Sequence, residues 1–313
     1  MKAEIGLEEM EKAYERLEGK IHRTPIMESS LIDQVIGLPV KFKCEHLQKT
    51  GSFKSRGALN STLRAKEAGA KGVITHSSGN HGQALAWAAK SCGLPCTVVV
   101  PENAPPSKRE AIAAYDADVR LCQPTVKARE EDCQRLSKEL GYTVVEPFNE
   151  PDMINGHASI VKEIFEQEPE TDSIFVSLGG GGFASAIAYY TAKTHPDVKV
   201  FVVEPQGKFL KQYLDEGTLP ENDVVNTIAD GVRVLRIGDY CKPIIEAHCK
   251  DNLITVNDDE IREAMRLVWT RLKQRVEPTA CMALAALLHY KPSTVHRPMV
   301  ILCGGNVDLN FLP

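Results

Sequence analysis

The sequence predicts an α/β protein with two interleaved domains, each an open, mostly parallel β-sheet with helices on both faces. Two observations favour this fold class. Short runs of β-branched residues alternate with helical patterns along almost the whole chain, which is typical of parallel sheets covered by helices. The chain has 313 residues, long for one compact domain, yet it contains no long linker and no internal repeat. We therefore expect the chain to cross between two domains more than once.

The predicted strands are short and lie between helical patterns. They cover residues 40–46, 72–78, 96–101, 117–122, 142–147, 173–179, 198–205 and 298–305. In one helical pattern, Ile261, Met265, Val268 and Leu272 have the spacing of an amphipathic helix. Residues 67–148 contain regular strand–helix units, and we expect them to form a small mobile domain. Residues 1–66 and 149–313 would form the large domain.

Composition narrows the possible classes of function. The chain is 43% hydrophobic and 25% charged, and its formal net charge of −5 indicates no basic surface for nucleic acid. No apolar run approaches the roughly 20 residues of a membrane span, and the charged N-terminal residues lack the apolar region of a signal peptide. Nine scattered cysteines lie mostly in apolar patterns, as buried reduced thiols do. We therefore expect a cytoplasmic protein without a zinc site.

The unusual short motifs follow predicted strands or open predicted helices. SSGNHG at 77–82, LGGGG at 178–182 and CGGN at 303–306 each follow a strand, and EPTA at 277–280 opens a helix. Open parallel sheets bind ligands at the carboxyl ends of their strands. The placement of these motifs therefore predicts that they contribute to a ligand site.

Four consecutive glycines before a helix suit the binding of a phosphate. Without Cβ atoms the backbone can wrap closely around an anion, which the N–H groups and the helix dipole attract. The alternative is a tight turn with close packing of the helix on the strand. The motif lacks the Gly-Lys-Ser/Thr of a P-loop, and it is not the GxGxxG of a dinucleotide site.

Lys54 lies in the segment GSFKSRGA at 51–58, between Phe53 and a serine and with a glycine on either side. This setting favours a nucleophile in a cofactor pocket over a lysine on a solvated surface. A lysine nucleophile and a phosphate site together suggest pyridoxal phosphate, which binds to lysine as a Schiff base.

In this order, the motifs resemble those of the fold-type II pyridoxal phosphate enzymes, most closely the serine racemase and serine/threonine dehydratase family. The resemblance covers nearly the whole chain, from HRTPI at 22–26 through TIADGV at 227–232 to GGNVDL at 304–309. It implies a fold like that of the tryptophan synthase β subunit and pyridoxal 5'-phosphate as the cofactor. It also implies a homodimer that acts on a small amino acid, serine or threonine.

The resemblance assigns the cofactor-binding residues. Lys54 would hold the cofactor covalently and act as the base at the substrate Cα, and Cys303 would face the pyridine nitrogen. Asn80 would hydrogen-bond the cofactor's 3'-oxygen. The remaining residues implied at the cofactor are Phe53, Phe148, Gly179, Gly180, Gly181, Gly182 and Gly231.

The substrate residues are implied in the same way. Ser77, Asn80 and His81, at a predicted helix start, would bind the substrate carboxylate, and Arg129 would help to close the site. Each has an alternative without function. Ser77 can be an N-cap, His81 a packed helix residue and Arg129 a surface residue.

Ser78 decides the type of reaction. Racemisation needs acid–base groups on both faces of the substrate, and the serine that matches Ser78 in serine racemases acts opposite the lysine. Elimination needs only Lys54. We therefore expect a serine racemase that also eliminates pyruvate and ammonia from serine. If Ser78 is only a helix cap, the alternative is a dedicated L-serine/L-threonine dehydratase.

Two further classes are disfavoured by the motifs. A β-replacement enzyme of the cysteine-synthase type has a different run in place of SSGNHG. A protein that only binds pyridoxal phosphate has no need of an intact Lys54.

Several positions depart from the serine racemase pattern. Cys303 replaces a serine, Phe148 replaces a polar residue, and GHAS at 156–159 replaces GQGT. Val234 stands where a substrate-contacting serine is common. A thiol is a weak partner for the pyridine nitrogen. These changes favour elimination or a substrate other than serine.

The sequence also predicts that the metal site of serine racemases is absent. Those enzymes hold a divalent cation in the loop after a Glu-Pro pair, which here is Glu204-Pro205, but no further carboxylate precedes Asp215. A hard cation needs several oxygen ligands. We expect the Lys208 ammonium to take the cation's place and pair with Glu204. The alternative is that Lys208 points to solvent and Glu204 caps a helix.

Overall fold

The structure is a computed structural model that describes residues 4–219 and 224–313. Residues 1–3 of the predicted large domain therefore lie outside the described residues, as do residues 220–223. The strands are β1 Ile26–Met27, β2 Lys41–Lys43, β3 Val73–His76, β4 Cys96–Pro101, β5 Asp118–Cys122, β6 Thr143–Val144, β7 Ser173–Ser177, β8 Lys199–Pro205, β9 Leu253–Val256 and β10 Pro298–Ile301. The helices are α1 Leu7–Leu17, α2 Ser30–Ile36, α3 Lys54–Glu67, α4 Asn80–Cys92, α5 Pro106–Ala113, α6 Val126–Leu140, α7 Pro151–His157, α8 Ser159–Gln167, α9 Gly182–Thr194, α10 Leu210–Glu216, α11 Lys242–Cys249, α12 Asp258–Leu267 and α13 Pro278–Tyr290.

The strands form two separate, mostly parallel sheets. One has the spatial order β1-β2-β10-β7-β8-β9 and the other the order β5-β4-β3-β6. Only the β1–β2 pair is antiparallel among the described strand pairs. Neither sheet closes into a barrel, so the predicted α/β fold class is confirmed.

Strand burial follows from position in the sheet. All of Ser173–Ser177 is buried, because β7 lies between two strands and α13 packs on it. In contrast, β5 is at a sheet edge and leaves most of its residues exposed. Continuous apolar runs therefore identify the central strands, and these were the easiest to predict.

Two strands were missed by the sequence analysis. β1 has only two residues, and β9 is a four-residue run directly after a short 3-10 helix, Lys250–Asn252. Both are edge strands that remain half-exposed, so neither has the long apolar run of a central strand. Their pairing with β2 and β8 is a tertiary effect that the local sequence does not signal.

The predicted amphipathic helix after residue 257 is confirmed. Asn257 and Glu260 form a capping box, which fixes the start of α12 at Asp258. The helix continues into a π-helical turn over Val268–Leu272. All four residues of the predicted stripe are buried: Ile261, Met265, Val268 and Leu272.

The chain divides into two compact units. The first contains Met1–Ile21 and Phe53–Ser159, and the second contains His22–Ser52 and Ile160–Pro313. In the first unit, α3 packs on α4 and α7, and its Ala58 and Leu59 share a core cluster with Val98 of the sheet. The predicted domains, 1–66 with 149–313 and a mobile 67–148, have other boundaries. They stay a prediction, because compact packing does not identify which segments move.

No helix in the described ranges is long and apolar enough to cross a membrane.

Candidate active site

Lys54 is the first residue of α3, and the chain passes from the second unit to the first just before it, between Ser52 and Phe53. Its side chain is half-buried, and its Nζ donates a hydrogen bond to the backbone oxygen of Pro147. The Nζ also lies 5.2 Å from the centroid of the Phe53 ring. The lysine is therefore held by neighbours rather than free in solvent.

The SSGNHG motif connects β3 to α4 in the first unit. The helix begins at Asn80, Gly79 is its N-cap residue, and no side chain caps it. The Ser77 hydroxyl instead accepts a hydrogen bond from the Gly79 N–H, at 3.3 Å. The structure therefore gives neither Ser77 nor Ser78 the capping role that we considered as an alternative.

His81 is a buried, neutral residue. Its Nε2 lies 3.1 Å from the Thr75 hydroxyl and 3.1 Å from the Val145 carbonyl oxygen. Because a carbonyl only accepts, Nε2 carries the proton. Burial, with a smaller effect of the Lys54 charge, lowers the pKa of His81 to about 3. The His81 side chain therefore packs inside the first unit, so a carboxylate would bind here through backbone N–H groups rather than through the imidazole.

The other site residues of the first unit lie on loops or in first turns. Asn80 opens α4 and is half-buried, and Arg129 lies half-buried in the first turn of α6. Phe148 is also half-buried and follows Pro147, whose carbonyl accepts from Lys54. The predicted residues that fall in the first unit are Phe53, Lys54, Ser77, Ser78, Asn80, His81, Arg129 and Phe148.

The tetraglycine loop connects β7 to α9 in the second unit. Gly181 is the N-cap residue, with a φ of 97° that side chains rarely adopt, and a Cβ there would lie 2.8 Å from the Cβ of Cys241. A Cβ on Gly179 would lie 3.0 Å from the Gly231 carbonyl oxygen. No side chain caps α9, which leaves its N-terminal end suited to an anion.

Gly231 lies beside this loop and is held by the EPTA motif. Its N–H donates to the Thr279 hydroxyl at 3.1 Å, and the Thr279 carbonyl accepts from the Ser177 hydroxyl at 2.7 Å. A Cβ on Gly231 would lie 3.0 Å from the Thr279 Oγ1. The structure therefore brings together three motifs that are far apart in the sequence.

Cys303 follows β10 and is buried at the start of the CGGN motif. Burial raises the pKa of its thiol well above the ordinary value, and the Glu277 carboxylate raises it further. The thiol is therefore protonated. The loop is fixed next to it, where Gly304 bridges to Ser52 and the Asn306 N–H donates to Glu277 at 3.2 Å.

Glu277 is a site residue that the sequence analysis missed. Its carboxylate is buried and lies so close to Gly304 that a Cβ there would be 2.6 Å from Oε1. We did place the EPTA motif among the segments expected to contribute to a ligand site, but we gave Glu277 no role. Glu277 lies beside Cys303 because the fold brings the start of α13 next to the end of β10. The sequence alone does not show this contact.

Lys208 and Glu204 match neither of our two expectations in full. Lys208 is fully buried and donates to the backbone oxygens of Val234 and Leu235, so the solvent-facing alternative is wrong for it. Glu204 accepts from the first N–H of α10, at Leu210, and from the Thr255 hydroxyl. Glu204 therefore does cap a helix, and no ion pair joins it to Lys208 in the described part of the chain. The two charges still interact, since Glu204 opposes the fall in the Lys208 pKa that burial causes.

The donor set fits pyridoxal phosphate. Within the first unit there is a primary amine, Lys54, held by its neighbours. Within the second unit there are a glycine loop in which Cβ atoms have no room and a protonated thiol, Cys303. Among the described residues, no group of three or more His, Cys, Asp or Glu side chains is arranged to hold a metal ion.

Comparison with known proteins identifies the class of enzyme. The model of the family described as "Pyridoxal-phosphate dependent enzyme" matches residues 17–304, and the chain belongs to this family. It is an enzyme of fold-type II, and its cofactor is pyridoxal phosphate. The predicted resemblance is confirmed.

Individual relatives span nearly the full chain. The chain is 40% identical to the serine racemase of Dictyostelium discoideum, over 99% of this chain and 97% of that protein. It is also 40% identical to the L-threo-3-hydroxyaspartate ammonia-lyase of a Pseudomonas species, over 95% and 94%. A crystal structure of a pyridoxal 5'-phosphate-dependent aspartate racemase superimposes with a TM-score of 0.95 at 41% identity, covering 100% of this chain and 99% of that one. Racemases and ammonia-lyases are thus both among its similar proteins.

Proposed function

We propose that the protein is a serine racemase that interconverts L- and D-serine and also eliminates pyruvate and ammonia from serine. The observation that carries this proposal is Ser78, a half-buried serine that does not cap α4 and lies in the same unit as Lys54. Full-length similarity to a serine racemase and to an ammonia-lyase supports the two activities.

The chemistry divides between the cofactor and two side chains. Pyridoxal phosphate supplies an electron sink that stabilises negative charge at the substrate Cα. Lys54 binds the cofactor and removes the Cα proton on one face. Ser78 returns a proton on the other face, which completes racemisation. Elimination needs only the first of these steps, because the β-hydroxyl then leaves.

The remaining residues bind and orient. We propose that the N–H groups at Gly179, Gly180, Gly181 and Gly182 bind the cofactor phosphate at the start of α9. Phe53, Asn80, Phe148 and Gly231 would each help to hold the cofactor ring. At the start of α4, Ser77, Asn80 and the backbone of His81 bind the substrate carboxylate, and Arg129 helps to close the site.

A dedicated L-serine/L-threonine dehydratase is the second candidate, and Cys303 favours it. The pKa of this thiol is raised by burial and by Glu277, so it is a neutral partner for the pyridine nitrogen. A ring without a protonated nitrogen is a milder electron sink. Such a cofactor would favour elimination over racemisation.

We further propose that the protein is a cytoplasmic homodimer. All nine cysteines are free and buried, which suits a reducing compartment. The dimer is proposed from the resemblance to the family alone.

The deciding experiment is incubation of the purified enzyme with L-serine, with D-serine and pyruvate measured separately. We expect both products from a yellow protein, and neither product from the Lys54→Ala variant. Pyruvate without any D-serine would leave the dehydratase as the function. A wild-type protein that takes up no pyridoxal phosphate would contradict both candidates.

A further inference from the structure

His157 is a fully buried residue at the end of α7, in the segment GHAS that departs from the family pattern. We propose that His157 is a positioning residue that holds the Phe53 ring and, through it, the amine of Lys54. The inference rests on the proposed function, in which Lys54 is the catalytic base.

The contacts form a short chain within the first unit. The His157 and Phe53 rings meet edge to face, with centroids 4.9 Å apart and planes inclined by 63°. The Lys54 Nζ lies 5.2 Å from the centroid of the same Phe53 ring. Aromatic pairs prefer an edge-to-face arrangement, which restrains the relative orientation of the two rings, and a ring face attracts a cation within about 6 Å. The orientation of the Phe53 ring therefore affects how well its face stabilises the protonated amine of Lys54.

The position of the His157 side chain is restricted because α7 and α3 approach closely. A Cβ on Gly57, one turn beyond Lys54, would lie 2.6 Å from the His157 Cε1. A Cβ on Gly156 would lie 2.9 Å from the Arg56 carbonyl oxygen. Each helix has a glycine at the crossing, so the imidazole has little room to move away from Phe53.

The ring acts without a charge. Burial lowers the pKa of His157 well below its ordinary value, and electrostatic interactions with Lys54, His81 and Arg56 lower it further, in that order. A proton on His157 would therefore add a third positive charge near those of Lys54 and Arg56. The imidazole stays neutral and acts on Phe53 through packing and the edge-to-face ring contact.

The test is His157→Gln, which places the usual family residue here and keeps a polar side chain of similar size without a ring. The main readout is the pH at which the visible absorption band of the bound cofactor changes, because this reports protonation of the Lys54 nitrogen. Loss of the fixed Phe53 face disfavours the cation, so we expect this pH to fall by about half a unit. We also expect kcat to fall about threefold to tenfold, with KM unchanged within about twofold.

A double-mutant cycle tests whether His157 acts through Phe53. If it does, Phe53→Leu alone and the double variant with His157→Gln shift the band by the same amount. Independent, additive shifts would overturn the proposal.

Met153→Leu is the matched control, since Met153 is also fully buried against Gly57 and the swap conserves volume. We expect it to leave the band where it is in the wild type. The proposal is wrong if His157→Gln lowers thermal stability to the same extent as Met153→Leu and does not shift the band. In that case His157 contributes only packing. A wild type that forms no visible band would instead contradict the proposed function, so the two failures are distinguishable.

Discussion

At the scale of single residues, burial decides what each titratable group can do. His81 and Cys303 both lie at motifs that the sequence singles out, and burial keeps both uncharged. For His81 this removes a candidate cation, because its Nε2 is already committed to Thr75 and Val145. For Cys303 it provides a protonated thiol. Residue type alone predicted where these groups lie, but not their protonation states.

Ser78→Ala tests the two-face mechanism at this scale. Removing the hydroxyl removes the only proposed proton donor on the far face, so D-serine formation should fall by about a hundredfold or more. Pyruvate formation should stay within about tenfold of the wild type, because elimination uses Lys54 alone. The measurement is the rate of each product from L-serine. An equal loss of both products would indicate that Ser78 binds the carboxylate or supports the fold.

At the scale of elements, the loops after the strands determine the site. The tetraglycine loop, the segment at Gly231 and the EPTA helix start contact one another at the carboxyl end of β7. The position of the tetraglycine loop after a strand was readable from sequence, because it follows a β-branched run, and EPTA was readable as the start of a helix. Their mutual contacts were not, since sheet order places β7 beside β8 and β10, which are far apart in the chain. For the same reason, Glu277 was missed as the neighbour of Cys303.

From the hydrogen bonds in the loop between β8 and α10, we predict that the enzyme needs no divalent cation. Lys208 already bonds the carbonyl oxygens of Val234 and Leu235, and both Glu204 oxygens accept from Leu210 and Thr255. We expect serine turnover to be unchanged by EDTA and not raised by magnesium. Activity that is lost on chelation and restored by magnesium or calcium would contradict this.

At the scale of the whole molecule, the sequence predicted the fold class but not the full strand list. Alternation of β-branched runs with helices was enough for two parallel sheets, because such helices must cover both faces. The short edge strands β1 and β9 were missed, since their stability comes from pairing with β2 and β8. The division of the chain at Ser52 and Phe53 was also not readable, because no change in composition marks it.

The burial of Lys208 predicts how the stability of the whole chain depends on pH. Its pKa is lowered by burial from 10.5 to about 8, so between these values the unfolded chain binds more protons than the folded one. Stability of the wild type relative to Lys208→Met should therefore rise with pH in this window, by up to about 1.4 kcal/mol per pH unit. Urea unfolding of both proteins at several pH values measures this. A difference that stays constant or falls with pH would contradict the assignment.

The protonated state of Cys303 also affects how readily this thiol reacts with peroxides. Peroxides attack thiolates rather than thiols. With the Glu277 carboxylate beside it and no solvent around it, Cys303 has almost no thiolate at neutral pH. We therefore expect burial, assisted by the Glu277 carboxylate, to make the Cys303 thiol slow to react with peroxide.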